Sequence, residues 1–158
     1  MKNILGCAFI ILLFADLANA GMIGRIDNFT KKSKTIARFG VITDIHHTNK
    51  TDTATRKYSA ALAKTKFFVN TMNRIRADFV IELGDFVETT VDGKDPVKNF
   101  LEVENIFASF KGPRYHVLGN HEFDDLRRSD LLENWDNTGI NRNDTYYSFD
   151  LNGIHCVV

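Results

Sequence analysis

Three short clusters of metal-binding or proton-transferring side chains each follow an apolar run in this 158-residue sequence: Asp44-Ile45-His46, Gly84-Asp85 and Gly119-Asn120-His121-Glu122. Residues two apart on an extended segment face the same way, so Asp44 and His46 can bind one cation. The two carboxylate oxygens of Asp85 can bridge a pair of metal ions about 3.5 to 4 Å apart. The clusters therefore indicate a metal site.

The third cluster divides its chemistry between neighbouring residues. Asn120 offers a neutral carbonyl oxygen to a divalent cation, which leaves His121 free to act on a substrate as an acid. Each cluster also has a simpler explanation, since Asp44 suits a helix cap or turn, Asp85 a turn after glycine, and Gly119-Asn120 a loop with positive φ. Their joint occurrence after successive apolar runs favours the metal site.

The elements that must position these clusters alternate between strand and helix. Residues 39–43, 78–83 and 114–118 are short runs rich in β-branched and aromatic residues, typical of buried strands. Apolar residues recur with helical spacing from Tyr58 to Ile75, and again from Asp95-Pro96, an N-cap followed by proline, up to Gly112-Pro113. Two successive βαβ units make the strands parallel, so all three clusters are expected at one sheet edge.

Two features follow the third cluster. Residues 126–135 can form a short helix, and Asn152-Gly153 separates two strand-like runs, which is a strong signal for a β-hairpin. The sequence has no glycine-rich turn after the first strand, so we set aside a dinucleotide-binding oxidoreductase.

Composition restricts the partners. The sequence is 44% hydrophobic and 25% charged with a net charge of +0, which is typical of a globular domain and gives no attraction to a nucleic acid polymer. Lys2, an apolar stretch from Ile4 to Phe14 and the small residues Ala18-Asn19-Ala20 predict a cleaved signal peptide at 1–20. We therefore expect a secreted protein, extracellular or periplasmic, with no stable membrane span after cleavage. A polar lead-in at 21–35 would precede the domain at 36–158.

In order and spacing, the three clusters resemble the first three signature blocks of the calcineurin-like metallophosphoesterases. The resemblance covers about residues 36–158 and implies a four-layer αββα sandwich. It implies that Asp44 and His46 bind a first metal, that Asp85 bridges to a second, and that Asn120 binds the second. His121 would be the catalytic acid, with Glu122 orienting it from behind.

The resemblance also implies a reaction. Two divalent or trivalent ions (manganese, iron or zinc) would activate a water that attacks phosphorus in a small phosphate mono- or diester, with His121 protonating the leaving group. Family members usually carry two later blocks, a lone histidine and a Gly-His-x-His, and this sequence contains neither. We therefore expect an N-terminal fragment, truncated within the second sheet. The alternative is a non-catalytic metal-binding or interaction protein.

The remaining histidines stand outside those motifs. His116 lies in the third predicted strand and His155 in the hairpin, so packing or surface roles are expected for both. His47 follows the first cluster and is a weaker candidate for the substrate side of that loop.

Overall fold

A computed structural model describes residues 35–158 of the chain. The predicted signal peptide at 1–20 and nearly all of the polar lead-in at 21–35 lie outside the described residues. The elements in chain order are β1 (Phe39–Ile42), α1 (Ala61–Ile75), β2 (Phe79–Glu82), α2 (Pro96–Phe107), β3 (Arg114–His116), α3 (Arg128–Asn134), β4 (Ser148–Leu151) and β5 (Ile154–Val157). Over residues 35–158, no helix has the length and apolar character that crossing a bilayer requires.

The first three strands form a parallel sheet in the order β1-β2-β3, as the two βαβ units predicted. Its three strand ends therefore meet at one edge. On one face the sheet is covered by α1 and α2, which bury side chains such as Phe68, Met72 and Phe107 against it. Gly40 permits the close approach of α1, because a Cβ there would lie 2.5 Å from the Met72 sulfur.

The predicted start of the second helix is confirmed. Asp95 does occupy the N-cap position of α2, and Pro96 lies in the first turn, but the Asp95 side chain makes no capping hydrogen bond. Its backbone adopts a left-handed conformation with φ of 53°, whereas a capping residue normally has extended φ and ψ.

The second face of the sheet is covered by the predicted hairpin of β4 and β5. Asn152 and Gly153 at its turn have φ of 50° and 83°, as a type I′ turn requires. Phe149 of β4 stacks on Tyr115 of β3, with ring centroids 3.8 Å apart, and packs edge-on to Phe79 of β2 at 5.2 Å. Helices, parallel sheet and hairpin are three successive layers of the expected sandwich, so the predicted α/β class is confirmed.

Candidate metal centre

The loops after β1 and β2 remain paired beyond the ends of the strands. The backbone N–H of Asp44 donates to the Gly84 carbonyl at 3.2 Å, and that of His46 donates to the Asp85 carbonyl at 2.9 Å. A reciprocal pair follows, in which His47 N–H donates to Phe86 and Glu88 N–H donates to the His47 carbonyl. This ladder holds the first two clusters side by side.

Three of the predicted ligands have a backbone conformation that non-glycine residues seldom adopt. The φ angles of Asp44, His46 and Asp85 are 53°, 48° and 56°. Such left-handed residues cost on the order of 1–3 kcal/mol each and are retained where surrounding bonds enforce them, which happens most often at functional sites. The ladder supplies those bonds, and the strain coincides with the side chains that the sequence selected.

The third loop crosses the second at two glycines. A Cβ on Gly84 would lie 2.7 Å from the Gly119 backbone, and a Cβ on Gly119 would lie 2.5 Å from Asp85 Oδ1. Neither position has room for a side chain. The close crossing allows the backbone N–H of His121 to donate to Asp85 Oδ1 at 3.1 Å, so the third cluster joins the first two.

The side chains at this junction fit a divalent cation. His46 Nε2 lies 3.6 Å from Asp44 Oδ1 and 3.9 Å from Asp85 Oδ2. Two ligands about 2.1 Å from one ion stand roughly 3 to 4 Å apart, so these separations suit a shared metal. The ligand atoms of His46, Asp85 and His121 all lie within 4.8 Å of one another. His46 Nδ1 faces Glu88 Oε2 at 3.5 Å, the carboxylate contact that typically orients a ligating imidazole.

The two site histidines have opposite electrostatic surroundings. Burial, reinforced by the nearby positive charge of Arg56, lowers the pKa of His46, which favours the neutral ring that a metal requires. Burial also acts to lower the pKa of His121, but its hydrogen bond to Asp124 and the charges of Glu88 and Asp85 outweigh that effect, so the pKa is raised. A raised pKa keeps a proton on His121, as a general acid requires.

The contacts of Glu122 differ from the expected one. Its buried carboxylate accepts backbone N–H groups from Asp85 at 3.1 Å, Gly119 at 2.7 Å, Val87 at 3.4 Å and Phe86. Among the described residues no hydrogen bond joins it to the His121 ring, whose Nδ1 instead meets Asp124 Oδ2 at 2.7 Å. Glu122 therefore binds the Asp85 loop, while Asp124 contacts His121.

Asn120 lies at the start of the short helix His121–Asp124, with an exposed side chain beside the residue that contacts Asp85. Its assignment as a metal ligand stays a prediction.

His47 is buried with Nε2 3.0 Å from Glu102, so it packs against α2 and does not line the substrate side. His116 is buried in the core, and His155 pairs with Asp150 on the hairpin surface.

Sequence reasoning missed three charged residues of this site. Glu88 lies within 3.5 Å of both His46 Nδ1 and His121 Nδ1, and Arg56 pairs with Glu88 from the loop before α1. Asp124 is the third. Glu88 and Asp124 each follow a predicted site residue by three positions, and that spacing was the only available signal. Nothing local marks Arg56, which is separated from β1 by an irregular loop.

Comparison with known proteins finds a family model, a similar sequence and a similar fold. The family model for calcineurin-like phosphoesterases matches residues 37–157. The chain is 30% identical over 117 residues to a manganese-dependent ADP-ribose/CDP-alcohol diphosphatase of Arabidopsis thaliana, covering 70% of this chain and 37% of that protein. A crystal structure of a dimetal phosphatase from Danio rerio shares the fold with a TM-score of 0.51 and 24% identity, covering 60% of this chain and 32% of that one. The chain thus spans about a third of the length of both proteins.

Proposed function

The chain belongs to the calcineurin-like phosphoesterase family, and from this membership we propose that it serves metal-dependent hydrolysis of small phosphate mono- or diesters. The observation that carries the proposal is the convergence of His46, Asp85 and His121, with ligand atoms within 4.8 Å of one another, beside Asp44. Mixed carboxylate and imidazole donors suit manganese among the transition metals. The name of the Arabidopsis relative makes manganese and a diphosphate-linked nucleotide the first cofactor and substrate to test.

We assign the metal ligands as Asp44, His46, Asp85 and Asn120. Divalent ions bound there would supply activation of water and neutralisation of phosphoryl oxygens. His121 is the proposed general acid, because Asp124 binds Nδ1 and leaves Nε2 to face a leaving group. Arg56, beside Glu88, adds a positive charge that favours an anionic substrate.

The test measures manganese binding and phosphate release separately. Asp85→Asn is expected to weaken manganese binding more than about tenfold, since loss of an outer partner of a ligand alone costs 10- to 100-fold. Asp144→Asn, in an exposed loop, is the matched control and should bind as the parent does. His121→Ala should lower hydrolysis of ADP-ribose or an aryl phosphate, and its effect on folding should be smaller than its effect on hydrolysis. Equal activity in parent, Asp85→Asn and His121→Ala would remove both residues from the mechanism.

The second candidate function is non-catalytic metal binding. It applies if residue 158 is the true C-terminus, because fewer protein ligands would then hold the ions in place. Manganese binding that Asp85→Asn abolishes, without hydrolysis of any phosphoester by the parent, would select this alternative. Secretion remains part of the proposal, and mass analysis of the mature N-terminus for cleavage after Ala20 tests it.

A further inference from the structure

Three titratable side chains form a line beneath the proposed metal centre, each from a different element. The His116 ring at the end of β3 has Nδ1 3.4 Å from Glu82 Oε2 of β2 and Nε2 3.4 Å from Glu104 Oε2 of α2. The side chains of Glu82 and His116 are 0% exposed and that of Glu104 is 6% exposed. None of the three belongs to the metal-binding clusters.

Aromatic side chains fix the His116 ring in place. It stacks on Trp135 at a centroid separation of 4.9 Å and an angle of 18°, with Phe107 at 5.0 Å and Phe86 at 5.6 Å. His116 Nε2 and Glu104 Oε2 contact each other at 3.4 Å, and among the described residues neither atom has another hydrogen-bond partner. Burying polar atoms without a partner costs a few kcal/mol, which favours a bond between these two.

The chemistry of the three groups permits only a limited number of proton arrangements. A neutral imidazole has one N–H and one lone pair, so a continuous chain requires one neighbouring carboxyl to be protonated and to donate to the ring, while the other accepts the ring N–H. Burial lowers the pKa of His116 to about 3 and so keeps the ring neutral. Burial raises the pKa of both carboxyls, that of Glu104 to about 8.

The Gly84 bond is compatible with either direction of the chain. Glu82 Oε1 accepts the backbone N–H of Gly84, and Glu82 Oε2 either accepts His116 Nδ1–H or, when Glu82 is protonated, donates to Nδ1. Glu104 takes the complementary role at His116 Nε2. In both directions the chain runs from α2 through β3 to the turn that begins at Gly84, immediately before Asp85.

We propose that Glu104, His116 and Glu82 are positioning residues that fix the Gly84-Asp85 turn by this directed chain of hydrogen bonds. The inference rests on the proposed function only in that Asp85 is the ligand being positioned. Because Gly84 N–H is the last donor of the chain, reversing or breaking the chain at Glu104 changes the bond that Gly84 makes. The chain of contacts therefore joins α2 to the backbone N–H immediately before Asp85.

The first experiment needs neither metal nor activity. In ¹⁵N-detected NMR of the full metal-free chain at neutral pH, His116 should be a neutral ring held in one tautomer. A protonated ring or a mixture of tautomers would overturn the proposal. Glu104→Gln should keep a single tautomer, because its amide can either donate to Nε2 or accept Nε2–H, whereas Glu104→Ala should leave a mixture and shift the Gly84 amide resonance. An unmoved Gly84 amide in a folded Glu104→Ala protein would also overturn it.

The second experiment measures manganese affinity in the same variants. Glu104→Ala should weaken binding by more than about twofold but by less than the roughly tenfold that loss of a ligand's direct partner costs, while Glu104→Gln stays within about twofold of the parent. Lys98→Ala, exposed on the same helix, is the control for α2 and should change nothing. Equal affinity of parent and Glu104→Ala would overturn the positioning role. A parent that binds no manganese contradicts the proposed function instead, and the NMR result then decides the inference alone.

Discussion

Removing the Glu122 carboxylate should destabilise the protein, because that side chain joins the loop after β2 to the loop after β3. Its Oε1 accepts the N–H groups of Phe86 and Val87, and its Oε2 accepts those of Asp85 and Gly119. All four donors are backbone groups beneath the proposed metal centre. Burial raises the pKa of Glu122 and these four hydrogen bonds oppose that shift, so much of the binding strength depends on the negative charge.

The expected loss of unfolding free energy follows from the number of backbone donors that lose a partner. A buried donor left unsatisfied costs about 1–3 kcal/mol, so the low end for four donors in Glu122→Ala is about 4 kcal/mol. Glu122→Gln keeps one oxygen, and in either orientation of its amide two donors remain satisfied, which gives about 2 kcal/mol. For a chain of this length each kcal/mol lowers the melting temperature by about 2–4 °C, so Gln should cost about 4–8 °C and Ala about 8–16 °C.

Urea unfolding followed by circular dichroism measures both variants, with exposed Glu133→Gln as the control. The reasoning requires the order parent, Gln, Ala in decreasing stability. An alanine variant within 1 kcal/mol of the parent, or equal losses for Gln and Ala, would refute it. Unchanged stability together with a large loss of hydrolysis would instead support the sequence-based expectation that Glu122 acts on His121.

Three further measurements address neighbouring parts of the structure. Gly119→Ala should abolish manganese binding and lower stability by about 3 kcal/mol or more, since its Cβ would overlap the Asp85 backbone nitrogen and only a backbone shift could relieve that; calorimetry checks both effects. Tyr147→Phe should cost about 1–2 kcal/mol in urea unfolding, because the Tyr147 hydroxyl donates to the buried His116 carbonyl at 2.7 Å. Stability should fall between about pH 6.5 and 8, because Glu104, with a pKa of about 8 in the folded chain against its usual 4.5, retains a proton that the unfolded chain has released. Between about pH 4.5 and 6.5 the opposite effect of His116 offsets this decrease. Below about pH 4.5 stability should rise with pH, because the unfolded chain protonates His116 and the folded chain, with a pKa of about 3, does not. Arg114 and Asp136 face Glu104, and Glu122 and Asp85 face Glu82. Glu104→Gln should remove the Glu104 contribution to the decrease above pH 6.5, which is up to about 1.4 kcal/mol per pH unit, and should extend the His116-linked rise to about pH 6.5.

The parts of the fold that follow hydrophobic periodicity were predictable. The buried stripe of α1, the three parallel strands and the Asn152-Gly153 hairpin all depend on local patterns that the structure confirms. Residue type alone does not predict the left-handed backbone of Asp95, whose φ is 53° and whose side chain makes no capping hydrogen bond.

The candidate site was predictable only in part, for a related reason. Chemical type and position after a strand identified Asp44, His46 and Asp85, since the ends of parallel strands necessarily meet. Glu88 and Arg56 reach the same site through loops whose paths depend on tertiary hydrogen bonds, and no sequence period encodes those.

The hydrogen bonds of Glu82 and Glu122 explain why the proposed ligand Asp85 can keep an unfavourable backbone conformation. Four successive amides, from Gly84 to Val87, donate to these two buried carboxylates, while the carbonyls of Gly84 and Asp85 accept from the Asp44 loop. The N–H and the carbonyl of Asp85 are thus both hydrogen-bonded, and these bonds enforce its positive φ. Two buried carboxylates are costly without donors, and a strained loop is costly without acceptors, so each stabilises the other. The Glu122 carboxylate, although adjacent to His121 in sequence, therefore binds the loop that carries Asp85. Sequence adjacency alone could not indicate this contact.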